Sequence, residues 1–316
     1  MEKVKNNSME TKMTDFILLG LSHPPNLRIF LFLIFLVIYI FTQLGNMLIL
    51  ITIWSDPQLH IRPMYILLGV LSFLDMWLST VIVPRIIISF TPASKVIQFG
   101  ECVAQLYSFH FLGSTQCFLY TLMAYDRYLA ICRPLHYPVL MNGHLCTMLV
   151  TGAWLAGSIH GAIQATLTFR LPYCGPNQVD YFFCDIPAVT KLACTDTRII
   201  EILIVSNSGL ISVVCFILLV VSYAVILVLL RKQISSGRRK VLSTCAANLT
   251  VITFFLGHRI FIYSGSSTSL PEDKVVSVFF TAVTPLLNSI IYTLRNENMK
   301  NDLNKLTGRK EGKEDK

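Results

Sequence analysis

The chain has 316 residues, of which 53% are hydrophobic and 14% are charged. This composition excludes an ordinary soluble domain and indicates an integral membrane protein. The net charge of +8 does not indicate binding to nucleic acid, because the basic residues are gathered in short stretches between apolar runs, where they favour contact with lipid.

Seven apolar runs are long enough to span a bilayer, which needs about 20 residues of helix. The polar segment before the first run has no signal-peptide core, so we expect the first run to act as an uncleaved signal anchor. The runs are Phe30–Trp54, Met64–Phe90, Gln98–Cys132, Cys146–Phe169, Ile199–Leu230, Val241–Ser264 and Val275–Leu294. The sequence therefore predicts an all-α membrane protein, a seven-transmembrane helix bundle.

The charges that flank the runs predict the orientation and the domain organisation. Basic residues are concentrated on the side of the C-terminal tail, which places the N-terminus outside and the C-terminus inside. We expect an extracellular N-terminus over residues 1–29, with a glycosylation sequon at Asn6, and the membrane domain over residues 30–294. In the cytoplasmic residues 295–316, apolar side chains at helical spacing predict a short amphipathic helix on the inner leaflet, followed by a charged tail.

Charged and amide side chains inside the apolar runs are the candidate functional residues. Asp126 and Arg127 lie near the end of the third run. They are either a functional pair or a pair whose side chains snorkel to the membrane boundary. Asp75 lies at mid-membrane depth and needs a partner, water, a cation or a proton. Asn46 also fits simple hydrogen bonding between helices. Arg259, in the sixth run, needs an anion, backbone carbonyls or water.

Short segments along nearly the whole chain carry a family resemblance. The main one is Met123-Ala124-Tyr125-Asp126-Arg127-Tyr128-Leu129-Ala130-Ile131-Cys132, and the others are Phe16–Leu21, Pro63–Tyr65, Pro134–Tyr137, Ser222–Tyr223, Lys240–Cys245 and Leu294–Asn296. In order and spacing these segments resemble those of olfactory receptors, a branch of the rhodopsin-like G-protein-coupled receptors.

The resemblance implies an activation mechanism at the inner end of the bundle. Asp126 and Arg127 would form a latch, and Arg127 would be released to meet the G protein. The segment from Asn288 to Tyr292 resembles the Asn-Pro-x-x-Tyr element of the family, with Ser289 in place of proline. The activation residues implied in this way are Asp126, Arg127, Tyr128, Tyr223, Asn288 and Tyr292.

The resemblance also implies a polar network and two disulfides. Asn46 and Asp75 match the family's network, whereas Gln116 stands where many members have a glutamate, which argues against tight cation binding. The family pattern pairs Cys102 with Cys184, which leaves Cys174 to pair with Cys194. Sequence alone leaves this connectivity open.

A candidate ligand site follows from helical spacing in the outer half of the bundle. Apolar side chains with a few polar groups suit a small-molecule cavity, although ordinary packing between helices is the alternative for each residue. We hypothesise that Arg259 favours a ligand with an acidic or strongly accepting group; a pair with Glu201 and snorkelling are the alternatives. The candidate residues are Leu106, Phe109, His110, Gly113, Ser114, Asn207, Ile211, Arg259, Ile260 and Tyr263.

The motifs also bear on the class of function. The chain has no hydrolase, zinc-protease, phosphate-loop or dinucleotide motif, so an enzyme is not expected, and neither a cofactor nor a metal site is predicted. The alternative from another class is a multi-pass channel or transporter lined by Asp75 and Arg259. The resemblance implies a plasma-membrane receptor that binds a small organic odorant and activates a stimulatory heterotrimeric G protein, which raises cAMP.

Overall fold

The computed structural model describes residues 14–20, 25–91, 95–174, 177–232, 253 and 271–295. The described helices and strands are β1 (Asp15–Leu18), α1 (Pro25–Ser55), α2 (Pro57–His60), α3 (Pro63–Ser89), β2 (Val96–Gln98), α4 (Phe99–Cys132), α5 (Tyr137–Leu140), α6 (Gly143–Phe169), β3 (Gln178–Val179), α7 (Ile186–Thr190), α8 (Arg198–Lys232) and α9 (Pro271–Arg295). The long helices match six of the seven predicted runs. The sixth run, Val241–Ser264, lies outside the described residues apart from residue 253, and so does the amphipathic segment after Arg295.

Helix boundaries differ from the apolar runs where local caps extend the helix. The helix α6 begins at Gly143, three residues before the predicted start, because the Asn142 side chain accepts a hydrogen bond of 2.8 Å from the backbone N–H of Leu145. The helix α3 begins with Pro63, whose fixed φ suits the first helical position. Hydropathy alone does not detect helix starts of these two kinds.

The described long helices have the dimensions of membrane spans. Segments of α1, α3, α6 and α8 are both long and apolar enough to cross a bilayer. The helix α4 has 34 residues, a length of about 51 Å, which exceeds the bilayer's hydrocarbon core of about 30 Å. The helix α4 is more polar than α1, α3, α6 and α8 because it carries candidate site residues.

The helix α4 is the central element of the described bundle, since it packs against α3, α6 and α8, while α1 packs against α3 and α9. Glycines bring α6 close to α4. A Cβ atom on Gly161 would lie 2.9 Å from the carbonyl oxygen of Tyr107 and 3.0 Å from the backbone nitrogen of Phe111. Such contacts are too short for a carbon atom, so glycine permits this close packing of two membrane helices.

A small sheet covers the predicted extracellular end of the bundle; we call it the outer sheet (β1, β2 and β3). The strand β1 lies in its centre, antiparallel to β2 and parallel to β3. The Phe16 side chain is fully buried against Phe99 and Tyr173, at ring-centroid distances of 5.9 and 6.1 Å. This sheet was not predicted from the sequence, because strands of two to four residues have too little periodicity to be recognised.

Candidate functional site

The structure places the predicted ligand face of α4 inside the bundle. Leu106, Phe109, His110, Gly113 and Ser114 are all buried, and the Phe109 ring packs against that of Phe183 from the loop after β3, at 5.4 Å. On α8, the predicted residues Asn207 and Ile211 are half-buried. The remaining candidates, Arg259, Ile260 and Tyr263, lie outside the described residues.

A polar cluster missed by the sequence analysis joins α4, α6 and α8. The Ser114 hydroxyl lies 2.7 Å from Nδ1 of His160, and Nε2 of that ring lies 3.0 Å from the Gln164 amide nitrogen. Gln164 also donates to the Ser208 hydroxyl at 2.9 Å. All four side chains are buried, and these contacts give partners to polar groups that would otherwise be costly within a membrane bundle, while Oε1 of Gln164 has no hydrogen-bond partner among the described residues. Polar residues spaced four apart on apolar helices, such as His160 and Gln164, were the available signal.

A second buried network lies deeper in the bundle and includes the predicted Asp75. Its carboxylate accepts hydrogen bonds from the Gln116 amide at 2.7 Å and from the Asn288 amide at 2.9 Å. Asn288 also contacts the hydroxyl of Tyr120 at 2.7 Å, a partner that the sequence analysis missed. Asn46 donates to the backbone carbonyl of residue 285 at 3.3 Å. The network therefore joins α1, α3, α4 and α9 through one carboxylate and neutral amides.

Carboxylate and amide oxygens bind hard cations, and this network contains both kinds of group. In the described part of the chain, the side-chain oxygens of Asn46, Gln116 and Asn288 are buried and have no hydrogen-bond partner. The donor amides of Gln116 and Asn288 face the Asp75 carboxylate. Gln116 supplies no second negative charge, so Asp75 is the network's single carboxylate.

At the inner end of α4, the structure does not bring Asp126 and Arg127 together as an ion pair among the described residues. Asp126, only 3% exposed, accepts a hydrogen bond of 2.7 Å from the hydroxyl of Tyr137 on α5. The Arg127 guanidinium instead lies 2.8 Å from the sulfur of Met64 on α3. The reason is helical geometry, since adjacent residues on a helix do not face each other.

Tyr137 is therefore a neighbour of the predicted switch that sequence reasoning did not single out. Burial, together with the hydrogen bond to Asp126, raises the pKa of the Tyr137 phenol, so the hydroxyl keeps its proton at neutral pH. The other predicted activation residues lie on α4, α8 and α9. Tyr128 is half-buried and Tyr223 is buried, and the Tyr292 hydroxyl lies 3.9 Å from the sulfur of Met123.

Both disulfides implied by the resemblance are present. Cys102 is bonded to Cys184 and Cys174 to Cys194, with Cα–Cα distances of 5.5 and 5.8 Å. Gln105 reinforces the first bond, because its side chain accepts from the backbone N–H of Cys184 at 2.9 Å and donates to a carbonyl of α3 at 2.9 Å. The loop after α6 is thus fixed to the outer ends of α3 and α4.

Comparison with known proteins identifies the class of this helix bundle. A family model described as olfactory receptor matches residues 35–310. The chain therefore belongs to the olfactory receptor family and is a rhodopsin-like, seven-transmembrane G-protein-coupled receptor. Like other olfactory receptors, it lies in the plasma membrane, responds to small odorants and couples to G proteins. It is a signalling receptor and not an enzyme.

Individual relatives are similar over nearly their full lengths. Olfactory receptor 10G2 of Homo sapiens is 63% identical over 308 residues, which cover 97% of this chain and 99% of the relative. Olfactory receptor 4E1 of Homo sapiens is 61% identical, with 96% of each chain covered. Olfactory receptor 4E2 of Mus musculus is 52% identical, with 95% of this chain and 97% of the relative covered.

Proposed function

We propose that a small organic odorant binds in the outer half of the bundle and that its binding activates a stimulatory G protein, which raises cAMP. The supporting observation is the buried face of α4, where apolar side chains alternate with imidazole and hydroxyl groups. Burial of apolar ligand surface drives binding to such a site, and a few hydrogen bonds orient the ligand. The proposed contacts are Leu106, Phe109, His110, Gly113, Ser114, Asn207, Ile211, Arg259, Ile260 and Tyr263.

A cAMP reporter screen tests this proposal. Cells that express the chain with a stimulatory G protein are exposed to a broad odorant panel, and surface display is measured in parallel. We expect a rise in cAMP that requires both the chain and the odorant. An odorant-dependent current through the protein itself, without a rise in cAMP, would instead support the channel or transporter alternative.

The proposed inner switch consists of Asp126, Arg127 and Tyr137, with Tyr223 and Tyr292 as supporting residues. In the described arrangement, which we assign to the inactive form, Tyr137 bonds to Asp126 and Met64 covers Arg127. Activation frees Arg127 to meet the G protein, while the two tyrosines move in to support the open form and the neighbouring Tyr128 contributes to the contact. An odorant shifts this equilibrium only by its differential affinity for the two forms.

The proposed connection between the odorant and the switch is the deeper polar network. Asn46, Asp75, Gln116 and Asn288 join four helices there, one helical turn or more above Tyr292 on α9. A small displacement of α9 changes which of these amides faces the Asp75 carboxylate. A buried hydrogen-bond network can be satisfied in only a few arrangements. A displacement of α9 therefore moves the network from one arrangement to another and does not deform it gradually.

Arg259 has a separate proposed role in ligand selectivity. A guanidinium within an apolar run of the sequence requires an anionic or strongly accepting partner, and an odorant with an acidic group would supply one. Replacing Arg259 with Ala should weaken responses to acidic odorants more than responses to neutral ones. Equal losses for both groups of odorants would reject the role.

We also propose the domain organisation stated from the sequence. Residues 1–29 are extracellular, residues 30–294 form the receptor domain, and residues 295–316 form the cytoplasmic amphipathic helix and tail. Glycosylation at Asn6 is part of this proposal, and Asn6 lies outside the described residues. A glycosidase-sensitive shift in mobility that is lost on replacing Asn6 with Gln tests it.

A further inference from the structure

Lys274 is a buried cation at an unfavourable place on a helix. It lies in the first turn of α9, where the positive end of the helix dipole disfavours a positive charge. Its ammonium nitrogen lies 2.6 Å from Oδ2 of Asp180, and the two side chains are 11% and 59% exposed. Lysine is almost never buried without a partner, so the Asp180 carboxylate explains how Lys274 is accommodated there.

Asp180 is held firmly by the outer sheet. It directly follows β3 at the centre of a tight turn, in which the backbone N–H of Tyr181 donates to the carbonyl of Val179 at 2.9 Å. The segment after β1 bonds to both sides of this turn, including a bond of 3.1 Å from Gly20 to Tyr181. Four residues later the disulfide at Cys184 ties the same loop to α4. A displacement of this loop therefore moves the Asp180 carboxylate with it.

The helix α9 has polar anchors on both sides of an internal proline. Lys274 anchors the outer part, Asn288 anchors the inner part to Asp75 at 2.9 Å, and Pro285 lies between them. Fourteen residues separate the two anchors, which is about 21 Å along a helix. A proline removes one backbone hydrogen bond of the helix and is a common point of bending. The outer part of α9 is therefore able to change its angle relative to the inner part.

We propose that the Asp180–Lys274 ion pair, the outer tether, is a positioning contact for activation. It fixes the outer part of α9 in the inactive arrangement, and an odorant that displaces the loop after β3 releases it. Release changes the angle of α9 at Pro285 and alters the contact of Asn288 with Asp75. The two charges act through the position of α9, and neither touches the odorant. This inference rests on the proposed inner switch, because it needs a readout of G-protein activation.

Charge neutralisation and charge exchange test the tether without a known odorant. Asp180→Asn, Lys274→Met and the exchange Asp180→Lys with Lys274→Asp are compared with the unaltered receptor. Basal cAMP is divided by surface display, and the melting temperature of the purified receptor is measured. Asp196→Asn is the matched control, because the Asp196–Arg198 pair lies near the same end of the bundle, is 3.5 Å long and is largely exposed.

Each neutral variant should raise basal cAMP per surface receptor by about two- to fivefold, the range in which one partly exposed ion pair biases a two-state equilibrium. The exchange should return basal cAMP towards the unaltered level, and Asp196→Asn should leave it unchanged. Asp180→Asn should lower the melting temperature more than Lys274→Met does, because it leaves a buried ammonium without its partner.

Three results would overturn the tether. The first is unchanged basal cAMP in both neutral variants at equal surface display. The second is that the charge exchange does not return basal cAMP towards the unaltered level. The third is that the charge exchange restores only surface display, which would indicate a purely structural pair. Asp126→Asn, measured in parallel, separates this inference from the inner switch. If Asp126→Asn raises basal cAMP and the tether variants do not, only the tether is wrong; if neither raises it, the switch itself is wrong.

Discussion

Replacing Tyr137 with Phe tests the inner switch at its most specific contact. The change removes the hydroxyl that donates to Asp126 at 2.7 Å and leaves the ring in place. A hydrogen bond to a charged group contributes about 1.5–3 kcal/mol. Because Tyr137 is only half-buried, water recovers part of this energy, and we expect a net loss of about 1 kcal/mol in the inactive form, or about fivefold in the equilibrium between the two forms.

The assay is basal cAMP per surface receptor, which we expect Tyr137→Phe to raise by about this factor. Asp126→Asn should also raise it, and combining the two changes should add little, because both act on one contact. Tyr125→Phe is the control, since Tyr125 directly precedes Asp126 on α4 and its side chain is 41% exposed. Unchanged basal cAMP in Tyr137→Phe, or full additivity with Asp126→Asn, would refute the reasoning.

Three further predictions concern other parts of the molecule. Gly161→Ala should lower the stability of the receptor by about 1–3 kcal/mol through overpacking against α4, whereas Gly152→Ala, where a Cβ meets nothing within 4 Å, should not lower the melting temperature. Gln116→Glu adds a second carboxylate to the deeper network and should make basal cAMP depend on external Na⁺. Basal cAMP is measured in a sodium medium and in a medium in which an organic cation replaces Na⁺, and equal cAMP in the two media would argue against a cation site. Phe16→Ala should reduce stability by up to about 3–5 kcal/mol and lower surface display, and the control Leu19→Ala, on a side chain 38% exposed, should have a small effect.

The sequence predicted the membrane helices well because spanning a bilayer imposes a single strong requirement, about 20 apolar residues in a row. The described helices α1, α3, α4, α6, α8 and α9 all fall on predicted runs. The outer sheet could not be predicted in the same way. Residue 17 pairs with residues 96 and 178, and such distant backbone pairing leaves no local pattern in the chain.

The candidate site was also predictable from the sequence only in part. Asp75 and Asn46 were identifiable one by one, because a charge or an amide inside an apolar run requires a partner, whereas Gln116 was identified only through the family resemblance. Which partners they meet depends on how the helices pack, and so Tyr120 was missed. The latch between Asp126 and Arg127 was implied by the family resemblance, and the sequence could not show that the Asp126 carboxylate also accepts a hydrogen bond from Tyr137, a residue of another helix.

The central position of β1 in the outer sheet has a consequence for biosynthesis. The strand is translated first, yet it lies between two partners that are translated later. Roughly 160 residues separate Leu18 from Gln178, so at about 5–20 residues per second the strand waits on the order of ten to thirty seconds for its second partner. During that time the strand edge that later pairs with β3, and the Phe16 ring, are accessible to chaperones in the endoplasmic reticulum. The maturation of this receptor should therefore depend on how well the nascent N-terminal segment is shielded until the fourth membrane span has been inserted.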